Sequence, residues 1–324
     1  MCALGAVLWG ACSRPSTATR DGNEREVPGS SEPILPIPLD PVEEPALVAL
    51  GEALFFSPIV SEDAQVSCGS CHFRDRGMAD GRAHSELPGR PATFTNSSSL
   101  FNVRYFYKIG WFAQNDSLEA HLDGLIKSPK LMGSSWGSVE SRLVVSSKWR
   151  AAFGAVFSDG VNASNAKRAL LAYERSLTTP NAPFDRWLRG DGSAITAEAL
   201  HGYSLFKSYG CVSCHQGLAV GANMLETFGV MRDYFSDHPI QSDADLGRFN
   251  TTHRVEDRHV FRVPSLRNVS LSAPYFHDGS APTLERAVGV MARYQLGREL
   301  DASDVQAIVA FLNSLTGEYR GRPL

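Results

Sequence analysis

The chain has 324 residues, of which 43% are hydrophobic and 20% are charged, a balance typical of a globular protein with about two domains. Lys and Arg number 31 against 35 Asp and Glu, so no basic field favours nucleic acid and that class of partner is excluded.

The chain begins with a short apolar run, MCALGAVLWGAC, which is too short to span a bilayer and resembles the hydrophobic part of an export signal. A Gly-Ala pair before Cys12 resembles a lipoprotein cleavage box, although Trp9 stands where an aliphatic residue is usual and no basic start precedes it. Residues 1–12 are therefore predicted to be an export or lipoprotein signal with Cys12 as a candidate lipid anchor; a cleaved signal or a mis-assigned start codon is the alternative. Residues 13–40, rich in Ser, Pro, Thr and charge, are predicted to form a flexible tether. A periplasmic or otherwise exported protein is expected.

Two segments resemble each other. LFFSPIVSEDAQVSCGSCH (54–72) and LFKSYGCVSCH (205–215) each place Leu-Phe before Cys-x-x-Cys-His. Apolar residues at helical spacing precede each motif, namely Ala46, Leu47, Leu50 and Leu54, and Leu200, Tyr203, Leu205 and Phe206. This similarity predicts a duplicated fold with a helix before each motif.

Two further helices are predicted. NASNAKRALLAYERSL carries apolar residues at helical spacing, and the Pro- and Gly-containing stretch after it places a domain junction at residues 180–195. DASDVQAIVAFLNSLTG predicts a last helix that is capped by Asp301 or Ser303 and stopped by Gly317. No alternating strand pattern competes, so the fold is predicted to be mainly α.

Four of the six cysteines lie in the two Cys-x-x-Cys-His units. The residues concerned are Cys68, Cys71 and His72, and Cys211, Cys214 and His215. This spacing lets two thiols add to the vinyl groups of one haem while the adjacent imidazole ligates the iron. Two covalently bound haem c groups are therefore predicted.

Other readings of the cysteines are weaker. A zinc ribbon places its two pairs about 15 to 20 residues apart, whereas Cys71 and Cys211 are separated by 140 positions (211 − 71). A thioredoxin-type pair needs a parallel sheet that this pattern lacks. Disulfides within each pair would explain neither histidine. Cys2 and Cys12 are expected to leave with the signal or anchor.

The segment FRVPSLRNVSLSAPYFHDGSAPTLERAVGVMARYQLG (261–297) resembles the C-terminal signature of bacterial dihaem cytochrome c peroxidases and of their relative MauG, a dihaem oxidase that modifies a partner protein. The resemblance runs from about residue 47 to residue 317. It implies two tandem cytochrome c-like domains, each with one haem c: a peroxidatic domain at 41–190 and an electron-transfer domain at 191–324.

The resemblance also implies site residues. Met291 lies 14 positions after His277, in the register of the family's second axial ligand, and would pair with His215; Tyr294 is out of register for the tyrosine that MauG has there. Trp111 matches the tryptophan that lies between the two haems in the family. The alternative is an aromatic residue that only packs in the interior. Asn96, Ser272 and Pro274 match positions that bind a calcium ion at the domain interface.

The chain departs from the family around the first haem. Pro88 occupies the position of the distal histidine, and His84 could replace that histidine only with a shifted loop. Leu131 occupies the position of a glutamate that moves protons. His121 stands where a glutamine is usual, and we expect it to act as a replacement acid and base. The alternatives are a histidine that hydrogen-bonds in the domain interior, one that lies outside the pocket, or an iron ligand.

The expected function is therefore a dihaem cytochrome c peroxidase that reduces hydrogen peroxide with electrons from a small redox protein, a cytochrome c or a cupredoxin. A MauG-like oxidase acting on a partner protein and a non-enzymatic electron carrier or redox sensor are the rival hypotheses. A homodimer is a further candidate assembly.

Overall fold

The computed structural model describes residues 32–39, 43–239 and 242–324. The predicted signal, Cys12 and most of the predicted tether lie outside these residues. Within them, no helix combines the length and the apolar character that a membrane crossing needs.

The described residues form a mainly helical fold with short strands. Its helices are α1 (Pro45–Phe55), α2 (Leu118–Lys127), α3 (Trp136–Val145), α4 (Ser147–Gly154), α5 (Ala163–Ser176), α6 (Pro183–Leu188), α7 (Ala197–Ser208), α8 (Tyr234–Asp237), α9 (Phe249–Thr252), α10 (Leu284–Gln295) and α11 (Ala302–Asn313). Its strands are β1 (Leu225–Thr227) and β2 (Val260–Arg262), and β3 (Glu318–Tyr319) and β4 (Arg322–Pro323), each couple pairing antiparallel. The mainly α prediction is confirmed.

Helices α1 and α5 cross closely and organise the first hydrophobic core. Gly51 of α1 lies so close to α5 that a Cβ atom there would stand 1.9 Å from the main-chain oxygen of Ala169. Leu50, Leu54 and Tyr173 are buried where the two helices meet. The helical spacing seen in the sequence is thus the spacing of residues that face this core.

Helices α7 and α11 repeat the arrangement in the second half of the chain. A Cβ atom on Gly202 of α7 would stand 1.8 Å from the main-chain oxygen of Ala307 in α11. Tyr203, Phe206 and Phe311 are buried around this crossing. Each half therefore has its own core, organised by one close crossing of two helices.

A third hydrophobic cluster contains residues from both halves. Phe112 of the first half packs with Phe228, Phe261 and Tyr294 of the second. Phe112 and Phe261 have ring centroids 6.2 Å apart, and Phe228 and Phe261 have theirs 6.4 Å apart. This aromatic cluster joins the two halves.

Both ends of the described chain depart from expectation. Residues 32–39 were expected in a solvated tether, but Ile34 and Ile37 have no solvent exposure, and Ile34 packs in the second core. The last helix ends at Asn313, before the predicted stop at Gly317. Gly317 instead lies against residue 179, where a Cβ atom would stand 2.1 Å from a main-chain oxygen. Asp301 is the N-cap residue, although its side chain makes no capping hydrogen bond.

Candidate haem sites

The first motif follows α1 and folds into a single turn of 3-10 helix over Cys68–Ser70. The main-chain nitrogen of His72 donates to the oxygen of Cys68 over 3.1 Å, which holds the imidazole directly beside the two thiols. His72 Nδ1 lies 2.8 Å from the main-chain oxygen of Met78. Because a carbonyl oxygen only accepts, Nδ1 carries the proton and the lone pair of Nε2 is left for a metal.

The second motif has the same construction. A 3-10 turn covers Cys211–Ser213, and the nitrogen of His215 donates to the oxygen of Cys211 over 3.0 Å. His215 Nδ1 donates to the oxygen of Val220 over 3.3 Å, so its Nε2 is again the free nitrogen.

The phenylalanine of each Leu-Phe pair contacts the histidine of the motif that follows. Phe55 and His72 have ring centroids 6.2 Å apart at an interplanar angle of 50°, and Phe206 and His215 have theirs 6.4 Å apart at 52°. The repeated sequence pattern therefore corresponds to a repeated side-chain geometry.

Burial shifts the pKa values of the histidines and the cysteines in both motifs. It lowers the pKa of His72 and brings that of His215 to about 4, so each imidazole is neutral at pH 7, the form that binds a metal. It raises the pKa of Cys68, Cys71 and Cys214, and brings that of Cys211 to about 11.

The four cysteines suit haem attachment. None forms a disulfide. Among the described residues, the one group of three or more His, Cys, Asp or Glu side chains with metal-binding spacing is Asp245, His277 and Asp278, and it contains no cysteine. The described residues thus give a zinc ribbon no support, whereas two unpaired thiols beside a neutral, oriented histidine fit a c-type haem.

Trp111 and Met291 both pack against the aromatic cluster. Met291 lies on α10 and is half-buried. Trp111 donates from Nε1 to the main-chain oxygen of Asn96 over 2.9 Å, which fixes the plane of the indole. The structure therefore places both side chains where the two halves meet.

Asn96 also links the halves. Its nitrogen donates to the oxygen of His277 over 2.7 Å, and its Nδ2 donates to the oxygen of Arg82 over 2.7 Å. These bonds bring Asn96 to the loop that contains Ser272 and Pro274, both half-buried. The three predicted calcium-binding residues thus belong to two loops in contact.

The residues that depart from the family pattern around the first haem lie in different environments. Pro88 and His84 are exposed, and Leu131 is half-buried against the first core. His121 lies on α2 with Nδ1 2.9 Å from Asn115 Nδ2. Burial is the main cause that lowers the pKa of His121 to about 4, and the neighbouring His72 and Arg262 contribute to this value. His121 therefore lies near the first motif.

Glu174 and Arg262 are two of the buried ionisable side chains that the sequence did not predict. Glu174 of α5 is 5% exposed, burial raises its pKa to about 8, and its charge raises the pKa of Cys68. Arg262 at the end of β2 is 2% exposed. Glu174 lies four residues after Leu170 and so shares the buried face of α5, which is the signal that could have identified it; Arg262 left no comparable periodic signal.

Residues 45–193 match the family model described as di-haem cytochrome c peroxidase. The chain is 39% identical over 299 residues to the cytochrome c551 peroxidase of Nitrosomonas europaea, covering 90% of this chain and 86% of that protein. The chain belongs to the di-haem cytochrome c peroxidase family. It is also 39% identical over 290 residues to the cytochrome c peroxidase Ccp of Escherichia coli K12, covering 89% of this chain but spanning only 62% of that relative.

Family membership confirms the resemblance drawn from the sequence, implies two haem cofactors and places the chain among oxidoreductases of the peroxidase type. The fold agrees. A crystal structure of a MauG-like protein associated with microbial copper homeostasis superposes with a TM-score of 0.75 and 23% identity, covering 89% of this chain and 94% of that chain.

Proposed function

We propose that this protein is an exported dihaem c-type cytochrome peroxidase that reduces hydrogen peroxide with electrons from a small redox protein. The observation that carries the proposal is an asymmetry between two sites of the same construction. Met291 lies at the junction of the halves, in the family register of the second ligand, whereas the family position of the distal ligand of the first haem is occupied by Pro88, which cannot ligate iron. One closed haem and one open haem are what a peroxidase needs.

Each half would be one cytochrome c-like domain, with 41–190 peroxidatic and 191–324 transferring electrons. Cys68 and Cys71 would bind one haem c and Cys211 and Cys214 the other, through thioether bonds. His72 and His215 would offer Nε2 as the iron ligand, because their Nδ1 atoms are held by carbonyl oxygens. A bound haem supplies the redox chemistry, and the protein sets access, potential and protonation.

The second site is suited to electron transfer. A His215/Met291 pair leaves no vacant position and raises the reduction potential of a haem. Tyr294 is out of register for the ligand position, and its hydroxyl donates to Asp237 Oδ2 over 2.9 Å. Trp111, held between the sites by Asn96, would relay electrons from the second site to the first.

His121 is the proposed acid and base at the first site. Its lowered pKa keeps the ring neutral above about pH 4, so it can take a proton from peroxide. The Asn115 side chain can present either its NH₂ group or its oxygen to Nδ1, so Nε2 can serve as donor or as acceptor. Leu131 cannot carry a proton, which leaves this role to His121.

Replacing His121 by Gln tests this assignment. The amide preserves hydrogen bonding but cannot exchange a proton at neutral pH, so the peroxide-dependent oxidation of reduced cytochrome c should slow by about tenfold or more. His84→Gln is the matched control, because His84 is exposed, and it should retain the full rate. A full rate in His121→Gln would rule out the acid and base role.

Calcium is proposed to bind at Asn96, Ser272 and Pro274. Carbonyl and amide oxygens on two touching loops form a hard-oxygen shell of the kind this ion prefers. Because Asn96 also accepts the Trp111 hydrogen bond, the ion would stabilise the position of the relay.

Each rival function has one feature in its favour. An open first haem would favour a MauG-like oxidase, although Met291 weighs against it, and Leu131 in place of the family glutamate favours a non-enzymatic carrier or redox sensor. Sustained peroxide-dependent oxidation of reduced cytochrome c would favour the peroxidase, and its absence alongside peroxide-driven modification of a partner protein would favour the oxidase.

Export, the lipid anchor at Cys12 and a homodimer complete the proposal. Mass spectrometry of the mature N-terminus separates a cleaved signal from an acylated Cys12. Sedimentation of the holoprotein gives its assembly state.

A further inference from the structure

Arg262 carries a buried charge with few partners. Its side chain is 2% exposed, and its guanidinium lies over the ring of Phe106, 4.7 Å from the ring centroid. Nε donates to the oxygen of Gly110 over 3.2 Å, and Nη1 reaches the oxygen of Val263 at 3.5 Å, the outer limit of a hydrogen bond. Two carbonyl oxygens leave most of its five N–H donors unused.

No carboxylate of the described residues forms an ion pair with Arg262. The contrast is Arg267, which is as deeply buried but bonds Asp185 over 2.6 Å. Burial alone lowers the pKa of Arg262 to about 10, with no opposing carboxylate, and the group is still charged at neutral pH. Since a buried charge without a counter-ion is strongly unfavourable, an anion from outside the described residues is expected beside it.

The guanidinium faces the first half of the chain. Phe106 packs on the first core, and the main-chain nitrogen of Arg262 donates to the oxygen of Trp111 over 3.0 Å. Its Nε contact is likewise to the first half, at Gly110. The missing anion therefore belongs beside Trp111 and Phe106, on the side of the first half that carries the first motif.

We propose that Arg262 binds a propionate carboxylate of the haem held by the first motif. A planar guanidinium fork matches a carboxylate with two parallel hydrogen bonds. Arg262 is thus a positioning residue, which holds the haem edge beside Trp111 and favours the reduced iron through its positive charge. This inference rests on the proposed haem binding, but it does not require peroxidase activity.

The test compares the holoproteins Arg262→Gln and Arg262→Lys with the wild type in the absence of peroxide. In Arg262→Gln, the reduction potential of the lower-potential haem should fall by the equivalent of about tenfold in the electron-transfer equilibrium, 59 mV for one electron. Arg262→Lys keeps the charge and should show a smaller fall. The propionate-bending bands in the resonance Raman spectrum should shift in both variants. Arg254→Gln removes an equal charge from an exposed side chain and should change neither readout.

Unchanged potentials in Arg262→Gln would overturn the proposal. A lower potential with unmoved propionate bands would also overturn it, because the anion would then be another group. If Arg262→Gln fails to assemble with haem, the Raman bands of Arg262→Lys decide, and unmoved bands there contradict the proposal. If the variants show these shifts but the wild-type protein does not reduce peroxide, the propionate contact is supported and the proposed peroxidase function is wrong.

Discussion

Asp185 and Arg267 form an ion pair without solvent contact, 2.6 Å between Oδ1 and Nη1. Arg267 also donates to the main-chain oxygens of Leu218 and Leu35, so a single side chain ties α6, the loop after the second motif and residues 32–39 together. Burial raises the pKa of Asp185, and Arg267 opposes that rise.

Removing one partner of this ion pair should therefore destabilise the folded protein strongly. Asp185→Asn leaves the Arg267 charge buried, and the free energy of unfolding should fall by about 3–5 kcal/mol. Guanidinium denaturation of the holoprotein measures it. Glu256→Gln, which breaks an exposed pair with Arg254, should leave stability unchanged. Equal stability of the two variants would contradict this reading of the pair.

The buried carboxyl group of Glu174 should make folding stability depend on pH. Burial raises its pKa from 4.5 to about 8, so between these values the folded protein holds a proton that the unfolded chain has lost. The stability contribution is thus complete below about pH 4.5 and disappears as pH rises through about 8. Glu174→Gln should flatten the decline in denaturation midpoint between pH 5 and pH 8. The exposed Glu86→Gln should not, and an unchanged slope in Glu174→Gln would refute the account.

The sequence predicted local chemistry well and buried charges poorly. The two thiols and histidine of each motif are adjacent along the chain, so their grouping follows from spacing alone. Arg262 and Glu174 acquire their properties from burial by distant segments, such as Phe106 around Arg262, and no single sequence reports that.

At the scale of elements, one glycine in each half permits a helix crossing. Gly51→Ala or Gly202→Ala would place a methyl carbon within 2 Å of a main-chain oxygen on the partner helix. Neither backbone can yield without separating the helices.

Each substitution should lower the free energy of unfolding by about 3 kcal/mol or more. Gly124→Ala in α2 is the control, because nothing lies within 4 Å of its added Cβ, and it should raise stability by about 0.5–1 kcal/mol. Thermal and guanidinium unfolding give both values. A tolerated Gly202→Ala would mean that the close crossing is not required.

The amphipathic helices were predictable because their apolar residues recur at helical spacing. The packed segment 32–39 was not, since its Pro-rich composition resembles a linker and its burial depends on α7, where Tyr203 and Lys207 bond Glu32. The two-residue strands β3 and β4 are likewise too short to produce an alternating pattern.

At the scale of the whole molecule, each end of the described chain packs on the opposite half. Ile34 lies in the second core, although it precedes the first motif, and Tyr319 lies in the first core, although it follows the second. With the aromatic cluster between them, these crossings hold the halves together around Trp111. A fixed relay between two haems is the functional consequence we infer.

We expect one haem to be open to peroxide and the other to be closed by Met291. Electron paramagnetic resonance of the ferric and half-reduced holoprotein, before and after adding peroxide, tests it most directly. We predict one low-spin and one high-spin signal, with the high-spin signal collapsing on adding peroxide. Two low-spin haems that do not react with peroxide would contradict the account.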